Sequence, residues 1–129
     1  MPSAVETAVQ TYIRASRERD PAARAALLEA CFAADGRLVS RSREIRGRAE
    51  VAAMLARFHA NPDVVGIRVL SVVDAGRTTF RLRSAAELRD GTLLESFDAG
   101  EVDAEGRISL ILTFAGPLAS LPEGEPGGR

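Results

Sequence analysis

Two polar side chains, Tyr12 and Asp98, stand in sequence surroundings that suit the end of an apolar pocket. Tyr12 is the only tyrosine and belongs to the apolar stripe of a predicted helix, where a buried hydroxyl needs a partner. Asp98 follows Phe97 in a predicted strand, and burial there would raise its pKa and suit it to acid or base chemistry. Core packing of Tyr12 and a solvated or structural Asp98 are the alternatives that the sequence leaves open.

Charged side chains elsewhere offer further candidates, each with a simpler alternative. His59, the only histidine, ends a predicted helix, where it could exchange protons at neutral pH or interact with the helix dipole. Residues 41–48 hold several arginines around Glu44, a run that could bind a carboxylate, a phosphate or an acidic carrier-protein surface. A solvated loop is the simpler interpretation of that run.

Helical periodicity predicts three helices in the first half of the chain. Apolar or small residues recur from position 5 to 16 at the three-and-four spacing of one helical face. A second helix begins at the N-cap pair Asp20-Pro21, and we expect it to end at Asp35-Gly36. The third is predicted between Gly47 and Asn61.

The remaining segments predict strands. Residues 37–41 form a short strand after the second helix, and the second half of the chain alternates in the manner of antiparallel hairpins. Helices followed by such a meander predict an α+β domain with the helices on one face of the sheet. The later strands are predicted at 64–73, 78–88, 92–102 and 107–115, with turns at 74–76, 90–91 and 104–106.

Composition excludes several classes of function. The 129 residues, 46% hydrophobic and 27% charged, fit one globular domain. The net charge of −1 argues against a nucleic-acid-binding protein, which would carry an excess of basic residues. A single cysteine and a single histidine cannot form a thiolate or multi-histidine metal site, and no clustered acidic motif suggests another cation. We therefore predict no metal and no cofactor.

The expected location is the cytoplasm. The first residues show neither a signal peptide nor a transit peptide, and the longest apolar run, residues 110–112, is far too short to cross a bilayer. Cys31 alone cannot form an internal disulfide, which fits a reducing compartment. Residues 117–129 are rich in proline and glycine, so we predict a domain over 1–116 followed by a mobile tail.

The order of elements, with FAADGRLVS at residues 32–40 and DAGEVDAEGRISLILTFAG at 98–116, resembles the nuclear transport factor 2-like superfamily over about residues 5–117. Together with AVQTYIRAS at 8–16, these segments are similar to its ketosteroid isomerase and SnoaL-like polyketide cyclase branch. The resemblance implies a cystatin-like cone, in which three N-terminal helices pack against a strongly curved antiparallel or mixed β-sheet. A hydrophobic pocket lies between them, and the outer face of the sheet is often used for dimerisation.

The resemblance also implies roles for the candidate residues. Tyr12 matches the tyrosine that donates a hydrogen bond to the substrate oxygen, and Asp98 matches the carboxylic acid that assists it. Ser40 stands where that branch carries its aspartate base, and a hydroxyl without a neighbouring base does not readily take a proton from carbon. Helix and strand parity complete the predicted pocket, whose remaining members are Ser40, Phe32, Met54, Phe58, His59, Phe80, Leu82, Ile111 and Thr113.

Three functions follow as hypotheses. The first is a cofactor-free isomerase or cyclase that acts on a small hydrophobic carbonyl compound, with Asp98 and Tyr12 as the catalytic residues. The second is a non-catalytic ligand-binding or dimerisation module. The third is an epoxide hydrolase of the limonene-epoxide type, although no aspartate lies within two residues of Arg81 or Arg83 on their strand. Both faces of the last strand are apolar, which predicts a homodimer through the outer sheet face.

Overall fold

Local capping chemistry sets where the helices begin. In the computed structural model, which describes residues 1–124, the Ser3 hydroxyl accepts a hydrogen bond from the backbone N–H of Glu6 at 3.1 Å. The Asp20 carboxylate accepts one from Ala23 at 2.8 Å. These caps satisfy N–H groups that have no partner within the helix. The described helices are α1 (Ala4–Arg17), α2 (Pro21–Cys31) and α3 (Arg48–Ala60).

The strands form one mixed sheet. They are β1 (Phe32–Val39), β2 (Glu44–Arg46), β3 (Val64–Val69), β4 (Asp74–Ala75), β5 (Thr79–Leu88), β6 (Leu93–Val102) and β7 (Ile108–Ala115). Within the described residues the order is β2-β1-β7-β6-β5-β3, and β4 pairs with β5. Only the β1–β7 pairing is parallel among these. The predicted α+β class is confirmed.

The second helix ends earlier than we predicted. α2 stops at Cys31, and the residues expected to finish it, through Asp35 and Gly36, belong to β1. Phe32 still donates its backbone N–H to Leu28, but it also pairs with Ile108 of β7. Because Phe32 fits the helical spacing and its strand partner lies far along the chain, the sequence carries no local signal for this boundary.

Two short strands lie where we predicted other structure. β2 falls in the arginine-rich run, where Arg37 of β1 binds Glu44 at 3.3 Å across the pair. β4 replaces the predicted turn at 74–76, and Arg81 of β5 binds Asp74 at 2.7 Å. In both pairs an ion pair with the neighbouring strand stabilises a charged segment as a short strand at the edge of the sheet.

The core forms where the helices cover one face of the sheet. α1 contributes Val5, Ala8 and Val9, which are almost fully buried, as the three-and-four spacing requires. The largest side chains with less than 2% exposure come from the helices and from the neighbouring strands β1 and β7. They are Phe32, Leu28, Ile108, Ile111, Val9, Val51 and Cys31.

Beyond β7 the chain lies on the surface. Residues 117–124 are exposed and form no helix or strand. The tail predicted at 117–129 continues past the described residues, and its mobility and the boundary at 116 stay predictions. None of the helices within residues 1–124 is long and apolar enough to span a membrane.

Candidate functional site

A cavity of about 340 Å³ lies between α1, α3 and the inner face of the sheet. Its volume is within the range of small-molecule sites, roughly 300–1,000 Å³. Apolar side chains from both helices and from the sheet form most of the wall. The lining residues with polar side chains are Tyr12, Ser16, Ser84, Ser96, Asp98 and Thr113, and Glu95 lies at the rim.

Strand register arranges the sheet wall of the cavity in rows across β5, β6 and β7. Exposure rises along these rows, from 5% at Phe80 to 55% at Leu94, so the cavity is closed at one end and open at the other. From the closed end outward, we name the rows the inner row (Phe80, Gly100, Ile111), the carboxyl row (Leu82, Asp98, Thr113), the serine row (Ser84, Ser96, Ala115) and the mouth row (Ala86, Leu94).

The inner row closes the cavity because Gly100 has no side chain. A Cβ atom at Gly100 would lie 2.7 Å from Cζ and 2.9 Å from Cε1 of Phe80. Those separations are shorter than van der Waals contact, so glycine is what allows the Phe80 ring to lie over β6. The ring then forms an apolar floor one row below Asp98.

The carboxyl row holds the one acidic side chain of the inner wall. Asp98 is partly buried between Leu82 and Thr113, and its Oδ1 atom is buried without a hydrogen-bond partner among the described residues. Burial raises the pKa of Asp98 above its ordinary value, and the Thr113 hydroxyl partly offsets this effect. A desolvated oxygen without a donor disfavours the charged form, so Asp98 holds its proton more tightly than a surface aspartate does.

Tyr12 faces the same cavity from α1. Burial is the main cause that raises the pKa of Tyr12, and the negative charge of Asp98 raises it further. The Ser16 hydroxyl acts in the opposite direction. Tyr12 therefore keeps its phenolic proton at neutral pH and can donate it in a hydrogen bond to a ligand oxygen.

Most of the predicted pocket residues line the cavity. The structure brings together Tyr12, Met54, Phe58, Phe80, Leu82, Asp98, Ile111 and Thr113. Phe32 lies beneath Tyr12 instead, with ring centroids 6.2 Å apart, and is fully buried in the core. Phe32 thus supports the tyrosine without contributing to the described wall of the cavity.

Ser40 lies away from the cavity, contrary to its expected place in the pocket wall. β1 ends at Val39, and Ser40 begins the turn to β2, where its backbone N–H and its hydroxyl both bond to the carbonyl oxygen of Arg43. Leu38, two residues earlier, is the β1 residue that lines the cavity. Alternation along a strand would have turned Ser40 inward, but the strand does not continue that far.

His59 also lies outside the lining of the cavity. Its Nε2 atom is 2.7 Å from the backbone carbonyl oxygen of Ser16, so Nε2 carries the proton and donates the bond. Nδ1 is buried without a partner among the described residues. This bond ties the end of α3 to the end of α1, which is a structural role.

The arginines of β5 lie on the outer face. Arg83 binds Glu95 at 2.9 Å and Arg81 binds Asp74 at 2.7 Å, whereas Asp98 belongs to the inner carboxyl row. Neither of these two arginines therefore lies beside Asp98 in the cavity.

Sequence reasoning missed four polar residues around the cavity, Ser16, Ser84, Glu95 and Ser96. Ser84 and Ser96 face each other across β5 and β6, with their hydroxyl oxygens 3.2 Å apart. The signal was available, since Ser96 shares the parity of Asp98 and a hairpin turn at 90–91 fixes the register. No group of three or more histidine, cysteine or acidic residues that could hold a metal ion occurs within residues 1–124.

Comparison with known proteins supports the fold more strongly than any activity. No protein-family model matches the sequence, and no curated protein matches it. A SnoaL-like family protein from Agrobacterium tumefaciens strain C58, described as a candidate isomerase, superposes with a TM-score of 0.77 at 24% identity. That alignment covers 88% of this chain and 98% of the other.

Two further structures extend this similarity. A nuclear transport factor 2-like protein of unknown function from Exiguobacterium sp. 255-15 superposes with a TM-score of 0.66 at 14% identity, covering 86% of this chain and 99% of the other. An LEH-like epoxide hydrolase from M. tuberculosis gives 0.63 at 21% identity, covering 88% and 82%. The chain therefore has the nuclear transport factor 2-like fold that the SnoaL-like proteins share.

Proposed function

We propose that the cavity binds a small hydrophobic carbonyl compound, which Asp98 and Tyr12 isomerise or cyclise without a cofactor. The observation that carries this proposal is the desolvated carboxyl group of Asp98 in a mostly apolar wall, with Tyr12 facing the same cavity from α1. Perturbed groups of this kind concentrate at functional sites. The structural similarity to a candidate isomerase agrees with this choice.

In the proposed reaction Asp98 moves a proton and Tyr12 stabilises the oxygen. The ionised carboxylate takes a proton from the carbon next to the carbonyl group, and the electron pair moves to the oxygen. Tyr12 donates a hydrogen bond to that developing enolate oxygen. Return of the proton from Asp98 to another carbon completes an isomerisation. Attack of the enolate carbon on a second carbonyl group instead gives an alkoxide, which takes the proton back from Asp98 and so completes a cyclisation.

Asp98 is the best placed base among the described residues. Ser40 lies in the β1–β2 turn, outside the cavity, and so does not contact a ligand bound there. Glu95 also lines the cavity, but it binds Arg83 and is exposed at its rim. A carboxylate with a raised pKa is a stronger base than a surface aspartate, so desolvation of Asp98 favours proton abstraction at neutral pH.

The test uses 2-tetralone, a two-ring ketone with exchangeable protons next to its carbonyl group. The protein is incubated with 2-tetralone in D₂O, exchange is followed by proton NMR, and binding is measured by saturation transfer. We expect faster exchange than in buffer, loss of this acceleration in Asp98→Asn, and partial loss in Tyr12→Phe. Glu95→Gln is the matched control, since it removes a carboxylate at the rim.

The outcomes separate the competing functions. Binding without accelerated exchange would leave a ligand-binding module and remove the proposed proton transfer. Equal acceleration by the wild type and Asp98→Asn would move the chemistry away from Asp98. Failure of 2-tetralone to bind at millimolar concentration would remove the proposed substrate class.

We also propose a homodimer through the outer face of the sheet. Phe97 and Phe114 are register partners there and are 36% and 56% exposed, beside the partly buried Leu112. Such an apolar surface favours association, and a stable interface needs about 800 Å² per partner.

Light scattering tests the dimer. Leu112→Glu should dissociate it because the substitution buries an unpaired charge in the interface. Val72→Glu, at an exposed valine in the segment between β3 and β4, should leave the dimer intact. A wild type that is monomeric at high micromolar concentration would refute the proposal.

The cytoplasm is the compartment we propose for this activity. Cys31, the only cysteine of the chain, is a buried free thiol, and a chain that needs no disulfide suits a reducing compartment.

A further inference from the structure

We propose that the serine row is a second binding position, which selects a carbonyl compound carrying another oxygen about 7 Å from its carbonyl oxygen. The inference rests on the proposed function, because it assumes that the reacting carbonyl group binds between Asp98 and Tyr12. It adds the chemical class of the substrate to that proposal. The spacing follows from strand geometry, since Ser96 and Asp98 are two residues apart on one face of β6 and each residue advances about 3.4 Å.

The serine pair retains unused hydrogen-bonding capacity. Ser84 and Ser96 are half-buried, and the bond between their hydroxyl oxygens is 3.2 Å long. This bond uses one donor, whereas two hydroxyls supply two donors and several lone pairs. Neither hydroxyl bonds to another group within residues 1–124. The pair can therefore donate to a carbonyl oxygen or both donate to and accept from a hydroxyl group.

The neighbouring rows restrict what kind of molecule fits. Leu82 stands beside Asp98 in the carboxyl row, and Ala86 and Leu94 form the mouth row beyond the serines. The two polar rows therefore lie next to each other, between an apolar mouth and the apolar Phe80 floor. A ligand that enters past Leu94 meets apolar wall, then the serine hydroxyls, and last the carboxyl group above the Phe80 floor. An elongated apolar skeleton with oxygens at two separated positions matches this order.

A simple structural role for the serines would make a different prediction. Hydroxyl pairs on neighbouring strands also stabilise sheets by themselves. In that case removal of the serine hydroxyls would lower the stability of the protein to the same extent with either ligand. The ratio of the affinities for the two ligands would not change. Ligand preference is therefore the quantity to measure, with folding followed separately.

The experiment compares 2-tetralone with 6-hydroxy-2-tetralone, whose added hydroxyl group is at the far end of the same skeleton. Dissociation constants are measured by NMR titration for the wild type, Ser84→Ala, Ser96→Ala and the double variant. One hydrogen bond predicts roughly two- to tenfold tighter binding of the hydroxylated ketone by the wild type. We expect this preference to fall in each single variant and to vanish in the double variant, while affinity for 2-tetralone stays the same.

Ser109→Ala is the matched control, because Ser109 of β7 bonds to the backbone oxygen of Glu101 and does not line the cavity. Urea denaturation shows whether each variant folds. If the double variant does not fold, the ligand preference of the two single variants tests the proposal. A preference that survives in the double variant, or a wild type that binds both ketones equally, would overturn the serine position and leave the proposed function standing. Failure of both ketones to bind would overturn both proposals.

Discussion

Replacing Gly100 by alanine should close part of the cavity from its inner end. The new methyl group would overlap the backbone oxygen of Leu110 in the neighbouring strand and would lie within 2.9 Å of two atoms of the Phe80 ring. Phe80 is the more mobile neighbour, and the space open to it is the cavity. We therefore expect the ring to move toward the carboxyl row, with loss of both stability and ligand volume.

The magnitude follows from two opposing effects. Overpacking a filled region costs about 1–3 kcal/mol, and alanine in place of glycine returns about 0.4–1 kcal/mol by restricting the unfolded chain. The net expectation is a loss of about 1–2 kcal/mol. Gly66 of β3 supplies the control, because a Cβ atom added there would meet no neighbouring atom within 4 Å, so Gly66→Ala should be neutral or stabilising.

Urea denaturation followed by circular dichroism measures both variants. With a slope of about 1–3 kcal/mol per molar urea, Gly100→Ala should unfold at a midpoint lower by about 0.3–2 M, and Gly66→Ala at an equal or higher midpoint. Binding of 2-tetralone should weaken in Gly100→Ala alone. Equal midpoints for the two variants would refute the argument that Gly100 is required by the Phe80 ring.

Two further predictions use the raised pKa values. The pKa of Asp98 is higher in the folded protein than its ordinary value of 3.8. The folded state therefore loses stability as the pH rises from 3.8 through the pKa of the folded protein. The loss is about 1.4 kcal/mol for each pH unit between the two pKa values. Asp98→Asn should therefore be more stable than the wild type in urea at pH 8 and not at pH 3. Burial raises the pKa of the Cys31 thiol to about 12, so a thiol-reactive dye at pH 8 should label the denatured chain within minutes and the native protein far more slowly. Rapid labelling of the native protein would contradict its burial.

Sequence patterns located the elements whose signals are local. The caps at Asp20 and Gly47 and the turn at 90–91 placed two helices and the β5–β6 hairpin, and strand parity then put Asp98 on the inner face. The boundary at Phe32 was missed because the competing signal, parallel pairing with Ile108, is not local. β2 was missed because its charged residues are typical of loops, and only the contact with Arg37 reveals it.

The candidate site depended both on local sequence patterns and on contacts between distant parts of the chain. Tyr12 could be placed from helical spacing and Asp98 from strand alternation, since each periodicity continues through its element. Ser40 could not, because alternation is informative only while a strand lasts, and β1 ends one residue before it. Resemblance to a family transfers the position of a residue along the chain, whereas chemistry requires that its side chain reach the cavity.

The absence of Ser40 from the cavity changes what Asp98 is expected to do. In a site with a separate base, a buried carboxyl group serves best as a neutral hydrogen-bond donor to the substrate oxygen. Here Tyr12 already supplies such a donor, and Glu95 is exposed at the rim and bound to Arg83. Proton transfer within the cavity therefore falls to Asp98, and its activity should rise as pH increases through its raised pKa, because only the ionised form accepts a proton. A rate that instead falls over that pH range would assign Asp98 the donor role and require another base.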